Sequence, residues 1–158
     1  MESGSAEVHL QFAKRCFSQA QAAILRKFRP LEEGEEILAL SFASFYHWSQ
    51  TPEFDVLQKL KCYILISKAF ALFGDGDKAI KYGNQCLEIC ESANASGELY
   101  AMTYQALLLG AFIAGQVPRA MDYFRLSNKY ANQMADEESS DAIRATTQAM
   151  MAEHSRGC

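Results

Sequence analysis

The sequence predicts an all-α fold of stacked antiparallel helical hairpins, and three observations predict it. The chain repeats itself: the stretch from Phe70 to Tyr82 returns loosely as Ala111 to Tyr123. Gly74 aligns with Gly115, Ala79 with Ala120, Tyr82 with Tyr123 and Tyr63 with Tyr104, always 41 residues apart. A fixed period between about 20 and 50 residues marks stacked supersecondary units. Apolar residues also recur at spacings of three and four along most of the chain, which is the helical period. Finally, only three prolines and nine glycines interrupt 158 residues, so long helices have room, and no segment reads as a strand.

The first helix is expected from Glu7 to Phe28, with Val8, Phe12, Cys16, Ala20, Ala23 and Ile24 along one face. Arg29-Pro30 ends it, because proline disfavours helix in the residue before it. The second runs from about Glu32 to Gln50 and buries Ile37, Leu38, Phe42, Phe45 and Tyr46. Glu32, Glu33, Glu35 and Glu36 crowd its start, where the helix dipole favours negative charge. Thr51-Pro52-Glu53 reads as a restart, a hydroxyl N-cap followed by proline at the first helical position.

The third helix then extends to Phe73 and stops at Gly74, suited to a left-handed C-terminal turn. Asp75 or Asp77 caps a fourth helix through about Ser92. Asn94-Ala95-Ser96-Gly97 forms a turn. A fifth helix reaches Ala114 and ends at Gly115, and Pro118 opens a sixth to about Met134. Asp136-Glu137-Glu138 starts a seventh, with Ala142, Ile143, Ala145, Met150 and Met151 on its apolar face. One domain, 1–158, is expected: hairpins at about 7–50, 52–93 and 96–134, and a C-terminal capping helix at about 136–153.

Composition narrows the function classes. Hydrophobic residues make up 49% and charged ones 22%, the balance of a globular chain rather than a disordered one. A net charge of −4 argues against general nucleic-acid binding, which depends on clustered Lys and Arg neutralising phosphates. No apolar run approaches the roughly 18 residues of a membrane span. The five cysteines lack a short-spaced framework, and the polar, acidic N-terminus is unlike a secretory leader. A cytoplasmic protein with reduced thiols is expected.

The repeat resembles the tetratricopeptide helical hairpin. Its positions fall on Tyr63, Ile66, Phe70, Gly74, Ala79, Tyr82 and Cys86, then on Tyr104, Leu107, Ala111, Gly115, Ala120, Tyr123 and Ser127. Two departures are a period of 41 where about 34 is usual, and the absence of the closing proline. The stretches Ser44-Phe45-Tyr46-His47-Trp48-Ser49, Thr51-Pro52-Glu53 and Cys86-Leu87-Glu88-Ile89-Cys90-Glu91 also resemble a family of small uncharacterised bacterial proteins with this helical-repeat fold. That likeness implies a fold and a compartment, and it transfers no catalytic residue. The tetratricopeptide resemblance implies a short right-handed superhelix, with the first helix of each hairpin lining its inner side. The matching positions are Lys61, Ile64, Lys68, Ala71 and Leu72, then Met102, Gln105, Leu109, Phe112 and Ile113.

This face supplies the candidate binding residues Lys61, Ile64, Lys68, Gln105, Leu109 and Phe112: two cations beside an apolar wall, suited to a peptide with apolar side chains and an acidic group. Cover of the wall by helix seven or a second subunit is the competing reading. Tyr46, His47 and Trp48 form a second candidate, in which Trp48 offers an apolar face and His47 a group titrating near neutral pH. The alternative is that Trp48 plugs a hairpin seam and His47 caps carbonyls. Cys86 and Cys90 stand one turn apart, but zinc sites need four ligands, and Cys86 occupies the small-residue position of the repeat. His9, His47 and His154 come from three different helices. No phosphate loop, nucleophile elbow or His-Glu-x-x-His is present.

The expected function is a non-catalytic protein- or peptide-binding module with no cofactor and no metal, binding neither nucleic acid nor membrane. Helix one keeps Phe12, Phe17 and Leu25, more apolar surface than one neighbouring helix can cover, so a homodimer through that helix is expected. The alternative function is a small-molecule sensor or cryptic enzyme around His47 and Trp48.

Overall fold

The computed structural model describes residues 2–26 and 32–155. They form seven helices, α1 (Glu2–Arg26), α2 (Gly34–Ser49), α3 (Val56–Phe73), α4 (Gly76–Ser92), α5 (Gly97–Ile113), α6 (Val117–Asn132) and α7 (Glu137–Ser155), with no strand among the described residues. The protein is all-α. The helix α1 begins five residues before the expected Glu7; Phe28 and Arg29-Pro30 lie outside the described residues.

Local chemistry sets most helix ends. Three N-caps accept a hydrogen bond from a backbone N–H in the first turn: Asp55 from Gln58 at 2.7 Å, Asp75 from Lys78 at 3.0 Å and Ser96 from Leu99 at 3.4 Å. Asp55 moves the start of α3 from the expected Pro52 to Val56. The Thr51 hydroxyl instead donates to the Trp48 carbonyl at 2.8 Å, closing the end of α2, and Pro52 falls in the connecting turn.

The two aligned glycines behave alike. Gly74 has φ +99° and Gly115 φ +74°, the left-handed region where a Cβ is penalised. Asp75 N–H donates to Phe70 O at 2.9 Å and Gln116 N–H to Ala111 O at 2.8 Å, the same helix-closing bond in both copies.

Each helix packs on its chain neighbours, and α1 also meets α3, α3 meets α5, and α5 meets α7. Among the described residues the backbones of the even helices stay apart, and α2 meets α4 through side chains, the Phe42 ring standing edge-on to Tyr82 at 6.3 Å. The odd helices therefore form one continuous layer, and the even helices lie on it as a second. Aromatic rings fill the joints between layers: Tyr82 stacks on Phe70 at 5.5 Å, and Tyr104 on Tyr123 at 6.1 Å. Small residues permit the α4–α5 approach. Ala79 is fully buried, and a Cβ added to Gly110 would lie 3.0 Å from the Ala79 Cβ.

Candidate functional site

A half-open pocket of about 350 Å³ lies on the odd-helix layer, where α1, α3 and α5 come together. Helical spacing builds each wall. The α3 residues Lys61, Ile64, Leu65 and Lys68 share one face, as three- and four-residue steps require. Phe17, Gln21, Ile24 and Leu25 of α1 form the opposite wall, and Leu99 and Met102 of α5 close the third side. Exposed Lys61 and Glu98 bring opposite charges to the lining, and Ser96, the N-cap of α5, adds a hydroxyl.

Lys68 is the chemically distinctive member. It is only 8% exposed, and its Nζ donates to Gln105 Oε1 at 3.1 Å. That amide is held from behind. Gln105 Nε2 donates to Thr147 Oγ1 at 3.0 Å and to the Ile143 carbonyl at 3.3 Å, both on α7. A carbonyl can only accept, so the amide nitrogen must face α7 and the amide oxygen must face Lys68. The Thr147 and Ser127 hydroxyls, 3.1 Å apart, continue this buried polar chain to α6.

The partner of Lys68 is thus neutral, and among the described residues no carboxylate lies within ion-pair distance of its ammonium. Burial lowers the Lys68 pKa from 10.5 to about 8. At pH 7 the side chain still carries its proton. Cys86, fully buried and beside Cys90, is pushed far above the ordinary thiol range, chiefly by burial. It is a neutral thiol and supplies no counter-charge.

The expected inner-face residues separate into two groups. Lys61, Ile64 and Lys68 meet in the pocket together with Met102. Gln105 stands behind Lys68, 2% exposed. Ala71, Leu72 and Leu109 are completely buried and offer no wall to a ligand, because neighbouring odd helices pack over them. Leu109 shares a core cluster with Met150 of α7, and the Phe112 ring stacks on His154 at 5.1 Å. Helix α7 therefore covers the α5 half of the expected face and leaves the α1–α3 half open.

Tyr46, His47 and Trp48 do not line this pocket. Tyr46 is 56% exposed. His47 Nδ1 lies 2.8 Å from His9 Nδ1, and its ring stacks on Phe12 at 5.4 Å, joining α2 to α1. Partial burial, and secondarily the nearby His9, lower the His47 pKa. The Trp48 Nε1 is buried without a hydrogen-bond partner among the described residues.

Cys86 and Cys90 are both buried, with Cys90 Sγ 3.6 Å from Thr103 Oγ1. Among the described residues no group of three or more His, Cys, Asp or Glu is placed to hold a metal.

Sequence reasoning missed the α1 wall. Its signal is present as Phe17, Gln21, Ile24 and Leu25, a stripe at helical spacing, but Phe17 and Leu25 read equally well as surplus surface for a dimer. No helix among the described residues is long and apolar enough to cross a membrane. No protein-family model, curated protein or solved structure matches this chain, so its function is read from the geometry.

Proposed function

We propose that this chain is a non-catalytic binding module of tetratricopeptide-like construction, which holds a protein or peptide segment on its odd-helix layer. An apolar side chain of the segment enters the pocket, and an acidic group beside it meets Lys61 at the surface. The observation that carries this reading is the pocket itself: a concave, mostly apolar site with few polar groups, the usual composition of a binding site. The module works in the cytoplasm, a setting that suits the free thiols of Cys16, Cys62, Cys86 and Cys90. A sensor or enzyme centred on His47 and Trp48 has less support, since His47 is engaged with His9 and Phe12.

Selection from a displayed peptide library on the immobilised protein tests the proposal. Recovered segments should pair an apolar residue with Asp or Glu. Lys61→Glu and Met102→Trp should each weaken them by about tenfold or more, the equivalent of roughly 1.4 kcal/mol. Recovered segments that bind both variants as well as the parent would overturn it.

A further inference from the structure

We propose that the pocket between α1, α3 and α5 binds an amphipathic monocarboxylate, a small molecule with one carboxylate on a hydrocarbon body, and that Lys68 holds the carboxylate. This site goes beyond segment binding, because it requires no partner protein.

Charge gives the first reason. Lys68 carries a buried ammonium whose one hydrogen-bond partner among the described residues is the neutral Gln105. Burying a charge without a counter-charge is costly, and an anion delivered into the pocket relieves that cost. The ammonium has three N–H groups. Gln105 takes one, leaving two for the oxygens of a carboxylate. Because α7 fixes the Gln105 amide, the donor is held in place before a ligand arrives.

The walls give the second reason. Apart from Ser96, every lining residue lies within α1, α3 or α5. Backbone groups inside a helix are already bonded to each other, except the first-turn N–H groups of α5, of which Leu99 N–H donates to the Ser96 hydroxyl. A peptide main chain drawn down to Lys68 would leave its own amides unpaired, at a cost for each. A hydrocarbon tail has no such groups, and it meets Phe17, Ile24, Ile64, Leu65 and Leu99. A volume of about 350 Å³ suits a small molecule of this kind, near the lower end of ordinary ligand sites.

Several other groups face Lys68 or share its pocket. They are Cys86 from α4, Lys61 from α3 and Glu98 from α5, while the α1 wall contributes no titratable side chain. The thiol stays neutral, and the other two sit at the exposed mouth. The pH dependence therefore belongs to Lys68. A carboxylate favours the ammonium form, so the complex retains a proton that the free protein releases above about pH 8. Affinity should be flat from about pH 6, where the ligand is fully ionised, up to that pH and should fall above it.

Octanoate and octanamide are the probes, titrated into the full chain with the Met102 methyl followed by NMR and affinity by calorimetry. Octanoate should shift Met102 saturably, and octanamide should bind about tenfold or more weakly, since a hydrogen bond to a charged group is lost. Lys68→Met should abolish the preference for the acid, whereas Lys129→Met, on α6 and outside the pocket lining, should keep it. Circular dichroism checks that each variant is folded. The pH series on the unaltered protein gives a test free of mutation. Equal binding of acid and amide, affinity that stays level from pH 7 to pH 10, or no shift of Met102 by octanoate would each overturn the proposal.

Discussion

Lys68 makes a measurable difference to stability as well as to binding. Its pKa is about 8 in the folded chain and 10.5 ordinarily. Below pH 8 both folded and unfolded chains are protonated, and the full cost of the buried charge is present. Between pH 8 and pH 10.5 the unfolded chain holds a proton that the folded chain has released, so this group makes stability rise with pH. Lys68→Met should therefore be more stable than the parent at pH 7 by about 1–3 kcal/mol, the loss of Gln105's partner offsetting part of the gain. The gap should close by about pH 10 in urea unfolding; a gap independent of pH would contradict the assignment. A second residue acts in the opposite sense. Thr147 accepts from Gln105 and also donates to the Ile143 carbonyl. Thr147→Val should cost about 1–3 kcal/mol by leaving the Gln105 amide short of a partner.

Among the elements, the α4–α5 crossing depends most on small side chains. Ala79 is fully buried beside Gly110, and its carbonyl accepts from the Ser67 hydroxyl at 2.7 Å. Ala79→Leu should overpack the crossing and cost about 1–3 kcal/mol, read as a lowered melting temperature. An unchanged melting temperature would mean that the crossing can open without penalty. Gly76 is tighter still. A Cβ there would lie 2.5 Å from the Ala114 nitrogen and 2.7 Å from the Gly110 carbonyl oxygen. Both contacts are backbone, so Gly76→Ala should force α4 and α5 apart and destabilise the fold. The turn glycines differ in kind. Gly74 and Gly115 have open space where a Cβ would stand but positive φ, so their alanine variants should suffer backbone strain alone.

At the scale of the whole molecule, the two ends of the odd layer are finished differently. Helix α7 buries Met150 and Thr147 against α5 and α6, giving the C-terminal end a covered face. At the other end Val8 is 50% exposed, Phe12 45% and Tyr46 56%, and the His9–His47 contact draws this surface together. Exposed apolar surface of this sort commonly marks an interface, and two-fold pairing is its commonest closed use. We propose a homodimer through α1, for which light scattering at micromolar concentration should give twice the 17.6 kDa chain mass. Phe12→Asp should return it to the monomer. Phe17→Asp is the poorer test of the dimer, because Phe17 lines the pocket and its loss would disturb that site as well. A parent protein that scatters as a monomer would reject the dimer.

The all-α class, the number of helices and most of their ends followed from the sequence alone. Periodicity, caps and turn glycines act over a few residues, and that information is local. Gly74, Gly115, Asp75 and Ala79 were legible for that reason. The start of α3 was not, because Thr51 and Asp55 are both competent caps and the Trp48 carbonyl claims the Thr51 hydroxyl. The binding face was only half legible. Lys61, Ile64 and Lys68 could be placed on one side of α3 by spacing, but spacing does not say which neighbour covers that side. Tertiary packing decided it: α7 lies over Leu109 and Phe112, α1 stands across from Ile64, and Gln105 reaches both Lys68 and Thr147. The charge state of Lys68 was likewise invisible in the sequence. Its neighbours along the chain, Ile64, Leu65, Ile66, Ala69 and Phe70, are apolar, but a long lysine in such a run can still carry its ammonium out to water; the desolvation is produced by helices distant in sequence that close around it.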